Sequence, residues 1–215
     1  MAASPTTLLI ACGALAQEIT ALIRANGWDH FAITCVPAQF HNRPEKIPPA
    51  VREKIHGARG KYDKILVVYG DCGSGGQLDD MLAEEGIERI AGPHCYQFYA
   101  GRADFEAMMD AEPGSFFLTD YLVRHFDLLI IQGLGLDRHP QLRDEYFGNY
   151  SKLIYLAQTE DDALVAQARA AAEKLGLTYE YRYTGYGELE RFMADAKRAK
   201  KENSPHGKAD HRLLA

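Results

Sequence analysis

The chain has no Cys-x-x-Cys pair, which removes the local zinc-ribbon and thioredoxin signatures. It has no Gly-x-x-x-x-Gly-Lys-[Ser/Thr] loop, and "CGALAQ" after the first apolar run supplies no Gly-x-Gly-x-x-Gly. No nucleotide cofactor is therefore expected. Positive charge is short: 24 Lys and Arg against 30 Asp and Glu leave a formal charge of −6. That balance argues against a nucleic-acid partner, whose phosphates demand a basic face. No apolar run approaches the roughly 20 residues that span a bilayer, so no membrane partner is expected. The start, "MAASPTTLLIACG", has no basic region ahead of its short apolar run and does not read as a signal peptide. A cytoplasmic setting is expected, and there the four cysteines stay reduced.

What remains is ordinary in bulk, with 47% hydrophobic and 25% charged residues over 215 positions, enough for a sizeable core. Four short apolar runs read as buried strands: "TLLIAC" (7–12), "KILVVYG" (64–70), "DLLIIQG" (127–133) and "KLIYLAQ" (152–158). "FAITCV" (31–36) and the alternating "TYEYRYT" (178–184) are weaker candidates, the latter an edge strand. "IERI" is a short further one. Helical stretches lie between them. One ends at Gly27, one starts at "PPAV", one begins after "CGSGG", and one opens with Thr159 as N-cap and stops at Gly176. "PGSFFLTDYLVRHF" reads as an apolar helix face, with Asp120 and Tyr121 near the site. This alternation predicts one α/β domain over 1–198, a mostly parallel sheet with helices on both faces in a Rossmann-like three-layer sandwich. A polar, loosely held tail is expected over 199–215.

In such sheets ligands bind beyond the carboxyl ends of the strands. The residues placed there are Cys12, His41, Cys72, the pair His94 and Cys95, and the trio Asp137, Arg138 and His139. "VVYGDCGSGG" admits three readings. Its glycines Gly73, Gly75 and Gly76 could cradle an anion on backbone amides. Cys72 and Cys12 could be thiolates activated at helix N-termini. Or Cys72, Cys95 and His41 could be three ligands of a catalytic zinc (iron being the other candidate metal), with Cys12 or His94 as a fourth. The metal reading uses most of these residues and is the one adopted. Arg138 suits a substrate carboxylate or an ion pair with Asp137. Cys35, inside a strand, is more simply a buried hydrophobe.

Five spaced motifs carry a resemblance: "IACGALAQEI", "FHNRPEKIPPAV", "VVYGDCGSGG", "AGPHCYQFYAG" and "PGSFFLTDYL". The chain resembles the uncharacterised family numbered sixteen-thirty-eight in the unknown-function series. The resemblance singles out Cys12 with Gly13, Glu18, His41 with Pro44, Cys72 with Gly73, and Cys95 with Gly101. It implies association with corrinoid-dependent methyltransferases, hence a part in one-carbon methyl transfer acting on a small-molecule substrate. The Asp-x-His-x-x-Gly stretch of corrinoid-binding proteins is absent, so the chain is expected to partner a corrinoid protein or methyltransferase. In that scheme Glu18 is a hydrogen-bond acceptor for a ligand side chain or a base, and Asp137 and Arg138 position an acidic or zwitterionic substrate. "SFFLTDYL" departs from the tyrosine- and tryptophan-rich segment of relatives, so substrate contacts there differ. The rivals are a non-catalytic accessory protein docking on a methyltransferase and a metal-free two-thiol enzyme.

Overall fold

The computed structural model describes residues 6–202, with side chains through Lys197. Strand and helix alternate, and every pairing between described strands is parallel. The expected α/β class holds, with the strands divided between two sheets. The first sheet contains β1 (Thr7–Cys12), β2 (Phe31–Val36), β3 (Lys64–Val68) and the two-residue β4 (Glu88–Arg89), in the order β2-β1-β3-β4. The second contains β5 (Ser115–Thr119), β6 (Lys152–Ala157) and β7 (Thr178–Tyr183), in that order.

β1 is central and apolar on both sides because both sides are covered. Leu9 and Ala11 face α1 (Ala16–Asn26), while Leu8 and Ile10 face α2 (Ile47–Ala58) and α3 (Gln77–Glu85). In the second sheet, Leu153 and Tyr155 pack on α8 (Asp162–Leu175). Ile154 and Leu156 pack on Phe105 and Met108 of α5 (Arg102–Ala111). The last helix, α9 (Gly187–Glu202), leaves the second sheet and returns Leu189 and Met193 to the core of the first. It crosses α4 (Cys95–Ala100) so closely that a Cβ on Gly187 would stand 2.2 Å from the Tyr99 carbonyl oxygen. Only glycine fits there.

Three local expectations are corrected. "DLLIIQ" (Asp127–Gln132) is a wide helix of π type, not a strand. Gly133 N–H reaches the Leu128 carbonyl and Leu136 N–H that of Ile131, both five residues back. Helix-type hydrogen bonds run on from α6 (Asp120–Arg124) into the segment, from His125 N–H to the Tyr121 carbonyl and from Leu129 N–H to that of His125, so tertiary packing overrides its β-forming composition. "SFFLT" is strand β5 rather than part of a helix, its aromatics being at home on a pleated surface. The N-cap of α8 is Asp161, which accepts from the Ala163 and Leu164 amides, not Thr159. Thr159 is engaged elsewhere, donating to Asp120. The polar tail expected from 199 continues the α9 backbone to Glu202, and its remainder lies outside the described residues. Among the described residues no helix is long and apolar enough to cross a membrane.

Candidate functional site

Two glycine pinches bring the first sheet's loops together. Gly13, just after β1, lies where a Cβ would be 3.2 Å from the Val36 carbonyl and 3.3 Å from the Ala38 amide nitrogen. The chain after β2 therefore passes close by and turns through Ala38–Asn42 to place His41. Gly70, just after β3, lies where a Cβ would be 2.9 Å from the Pro93 carbonyl and 3.0 Å from the His94 Cα. Cys72 N–H donates to that same Pro93 carbonyl at 2.8 Å, tying the Cys72 loop to the segment bearing His94 and Cys95. Arg89 holds the same corner from behind, donating to the carbonyls of Ile90 and Gly92 while its other face pairs with Asp79.

Cys72 itself has φ of 49°, and it alone departs from negative φ among the described residues other than glycine. Such a conformation costs about 1 kcal/mol or more, and clusters where function requires it. Asp71 sustains it. Its carboxylate accepts from Ser74 Oγ at 2.6 Å, Gly76 N–H at 2.9 Å and Gly75 N–H at 3.2 Å. The amides of Gly75 and Gly76 are thus taken by the loop's own aspartate. Of the three glycines expected to cradle an anion, two therefore have their amides occupied within the loop. These glycines shape the turn, each with positive φ, and present a thiol.

Cys12, Cys72, Cys95 and His41 all line one cavity of about 210 Å³. Its opposite wall comes from the second half of the chain: Phe116 and Thr119 of β5, Tyr121 and Leu122 of α6, and Leu129 and Ile130 of the π-type helix. His94 stands next to His41, ring centroids 6.2 Å apart, with its Nδ1 buried and lacking a hydrogen-bond partner. The Tyr69 hydroxyl faces the Cys12 sulfur without closing a well-formed hydrogen bond.

The thiols are not activated as they stand. Burial pushes the Cys72 thiol up to about 12, with the neighbouring Cys12 and Asp71 adding to the rise. Burial also raises Cys12 and Cys95, and each is raised further by other cysteines. Cys72 precedes α3 by five residues, so no helix terminus acts directly on it. The imidazoles move the other way, His41 and His94 both lowered by burial and hence neutral near pH 7. Neutral imidazole is the ligating form.

Other expected residues lie apart from this cavity. Glu18 is 4% exposed on α1, its Oε2 without a hydrogen-bond partner, and its carboxyl is raised by burial and by Asp120. It acts electrostatically on Cys95 but does not line the cavity. Asp137 and Arg138 lie 3.8 Å apart as an exposed ion pair and do not line the cavity. The two residues expected to position a substrate therefore stand in solvent, outside the cavity lining. His139 likewise contributes nothing to the lining. Sequence reading missed Tyr96, Phe116, Leu122, Leu129 and Ile130, whose apolar patterns are those of any core face.

These features define a parallel α/β protein with a strand-end thiol and imidazole cavity walled by its second sheet. A family model described as "protein of unknown function (DUF1638)" matches residues 35–193, and the chain belongs to that family. No curated protein matches it. Among solved structures, ornithine carbamoyltransferase from Pyrococcus furiosus is similar at 12% identity and a TM-score of 0.24, over 85% of this chain. The chain spans about half of that protein, 55% of its length.

Proposed function

We propose that the protein is a metal-binding partner, zinc being the metal, in a methyl-transfer step of corrinoid-linked one-carbon metabolism in a reducing cytoplasm. The observation that carries the metal reading is the convergence of Cys12, Cys72, Cys95 and His41 on one cavity. Sulfur and imidazole nitrogen are the donors zinc prefers. His94, with its buried Nδ1 lacking a partner, is a further donor in search of one. Among the described residues no three His, Cys, Asp or Glu side chains are arranged so as to hold a metal ion. Binding therefore requires side-chain rotation within the cavity, with His41, Cys72 and Cys95 as the core set and Cys12 or His94 completing it.

A bound zinc ion would act as a Lewis acid that lowers the pKa of a thiol or water placed on it. The protein's own residues do the rest. Asp71 and the glycine pinches hold Cys72 in place, and the apolar wall excludes water. Without a cation, a thiol with a pKa of about 12 is ionised on the order of once in 10⁵ at pH 7. That weakens the metal-free two-thiol reading. The corrinoid link rests on the family resemblance.

Elemental analysis of protein purified anaerobically without added metal tests the proposal, for wild type and for Cys72→Ser and His41→Ala. About one zinc per chain, lost in both variants, is expected. A metal-free wild type from zinc-replete cells sinks the ligand assignment. Methyl transfer is then read as loss of the methylcobalamin spectrum in the presence of a thiol acceptor. A spectrum unchanged with the zinc-loaded protein counts against that step.

A further inference from the structure

None of the residues that line the thiol cavity is an Asp, Glu, Lys or Arg. In a chain where these make up 25% of residues, a lining of 17 residues without one is itself informative. The nearest carboxylate of the Cys72 loop, Asp71, is turned into its own turn and saturated there. Arg89, at the same corner, is spent on Asp79 and on backbone carbonyls. The wall facing the thiols is made of Phe116, Leu122, Leu129 and Ile130, with Tyr96 and Tyr121 at its borders. At about 210 Å³ the cavity is smaller than the roughly 300–1,000 Å³ of drug-sized sites.

We infer that this cavity binds a small uncharged molecule with an apolar body, seated on the Phe116, Leu122, Leu129 and Ile130 wall and directed at the thiols. This reverses the expectation of an acidic or zwitterionic substrate, and it rests on the reading that the cavity is the working site. The physical reason is desolvation. A carboxylate or ammonium entering the metal-free cavity loses its water and meets no charged side chain in the lining, a loss that apolar contact does not offset. A neutral molecule gains from the same wall in proportion to the apolar surface it buries. A polarisable thioether sulfur suits a lining that holds the rings of Tyr96, Phe116 and Tyr121.

Isothermal titration of the whole chain tests this with three molecules of similar size: ethyl methyl sulfide, butyrate and n-butylammonium. Each is run on metal-free and on zinc-supplemented protein. The sulfide is expected to bind at least tenfold more tightly than either ion in the metal-free protein. Filling the cavity with Leu122→Trp is expected to abolish that binding. Leu129→Lys, which places a cation on the wall, is expected to turn the preference toward butyrate and keeps the test open if the first variant does not fold. Equal or tighter binding of either ion by the wild type overturns the inference. So does the absence of saturable sulfide binding, or its survival in a folded Leu122→Trp protein. Zinc content decides the metal proposal separately: selective sulfide binding by a protein that takes up no zinc would uphold this inference while sinking that one.

Discussion

The strand ends of the two sheets meet across one cavity and are built on opposite plans. On the first sheet, the loops after β1, β2, β3 and β4 are glycine-pinched and hold Cys72 in positive φ, and they carry three thiols and two imidazoles, of which His94 keeps a buried Nδ1 without a hydrogen-bond partner. On the second, the loops after β5 and β6 close around Asp120, which is 1% exposed and fully engaged. It accepts from Tyr155 Oη at 2.7 Å, Gln158 N–H at 2.9 Å, Thr159 Oγ1 at 2.6 Å and Thr159 N–H at 3.1 Å. Strain and unmet hydrogen-bonding capacity gather where a ligand could satisfy them, and satisfied polarity gathers where a wall must stay rigid. The first side offers chemistry, and the second offers shape.

If that division is right, the largest stability loss comes from the side without reactive groups. Asp120→Ala strands the Tyr155 hydroxyl and the groups of Gln158 and Thr159 that now donate to it, all in or near the core. A loss of about 3–5 kcal/mol is expected in urea denaturation, since buried donors lose a charged acceptor. Asp120→Asn, which keeps the shape and part of the bonding, should cost about half as much. A loss under about 1 kcal/mol for the alanine variant would mean the second side is not the rigid one.

Next comes the pinch on the reactive side. Gly70→Ala drives a methyl against the Pro93 carbonyl oxygen and His94 Cα, both backbone, with the Cys72 sulfur 3.2 Å away. The expected cost is about 1–3 kcal/mol. The sharper readout is functional: the Cys72 loop parts from His94, and zinc uptake should fall well below that of wild type even where the variant remains folded. Unchanged uptake would show that the pinch does not position the donors.

The same asymmetry decides what the sequence revealed. Donor residues are rare, so Cys12, Cys72, Cys95 and His41 could be placed at strand ends from alternation alone, and all four do line one cavity. The wall is made of common residues. Phe116, Leu122, Leu129 and Ile130 look like any core segment, and "DLLIIQ" carries a strand's composition while folding as a wide helix. Two sheets rather than one could not be read from alternation, because strand order is a long-range property. Thr159 precedes its helix like a cap, yet its hydroxyl serves Asp120, a partner 39 residues away in sequence. Asp137 and Arg138 are the reverse case. Charged residues after an apolar run invite a catalytic reading, but here the run is a helix whose far end faces solvent.

A smaller effect follows from the thiols' protonation. Cys72 is raised to about 12 in the fold, against about 8.5 for a free thiol. The folded state therefore holds this proton while the unfolded state releases it. The stabilisation is complete below about pH 8.5 and is lost as pH rises toward 12. Cys12 and Cys95 are shifted in the same direction. The metal-free protein should lose on the order of 1 kcal/mol per pH unit from Cys72 above pH 9, with Cys12 and Cys95 acting in the same direction. Melting curves at pH 8, 9 and 10 read this directly. Cys72→Ser should flatten the slope, and zinc, which favours the thiolate, should flatten it further. A melting temperature that stays constant from pH 8 to 10 without metal would contradict the buried, protonated state of these thiols.

The smallest effect is expected at the pair that the sequence made most conspicuous. Arg138 is 74% exposed and Asp137 42%, and their ion pair at 3.8 Å is screened by water. Removing it with Arg138→Ala or Asp137→Asn should change stability by less than about 0.5 kcal/mol. Neither variant should alter zinc content or the preference for ethyl methyl sulfide over butyrate, because no anion is being held in the cavity for Arg138 to meet. A tenfold loss of butyrate binding in Arg138→Ala would restore this arginine to the site. It would also mean that the cavity's neutral lining is not what selects the ligand, and the contrast between a chemical side and a shaping side would have to include a charged third element at its rim.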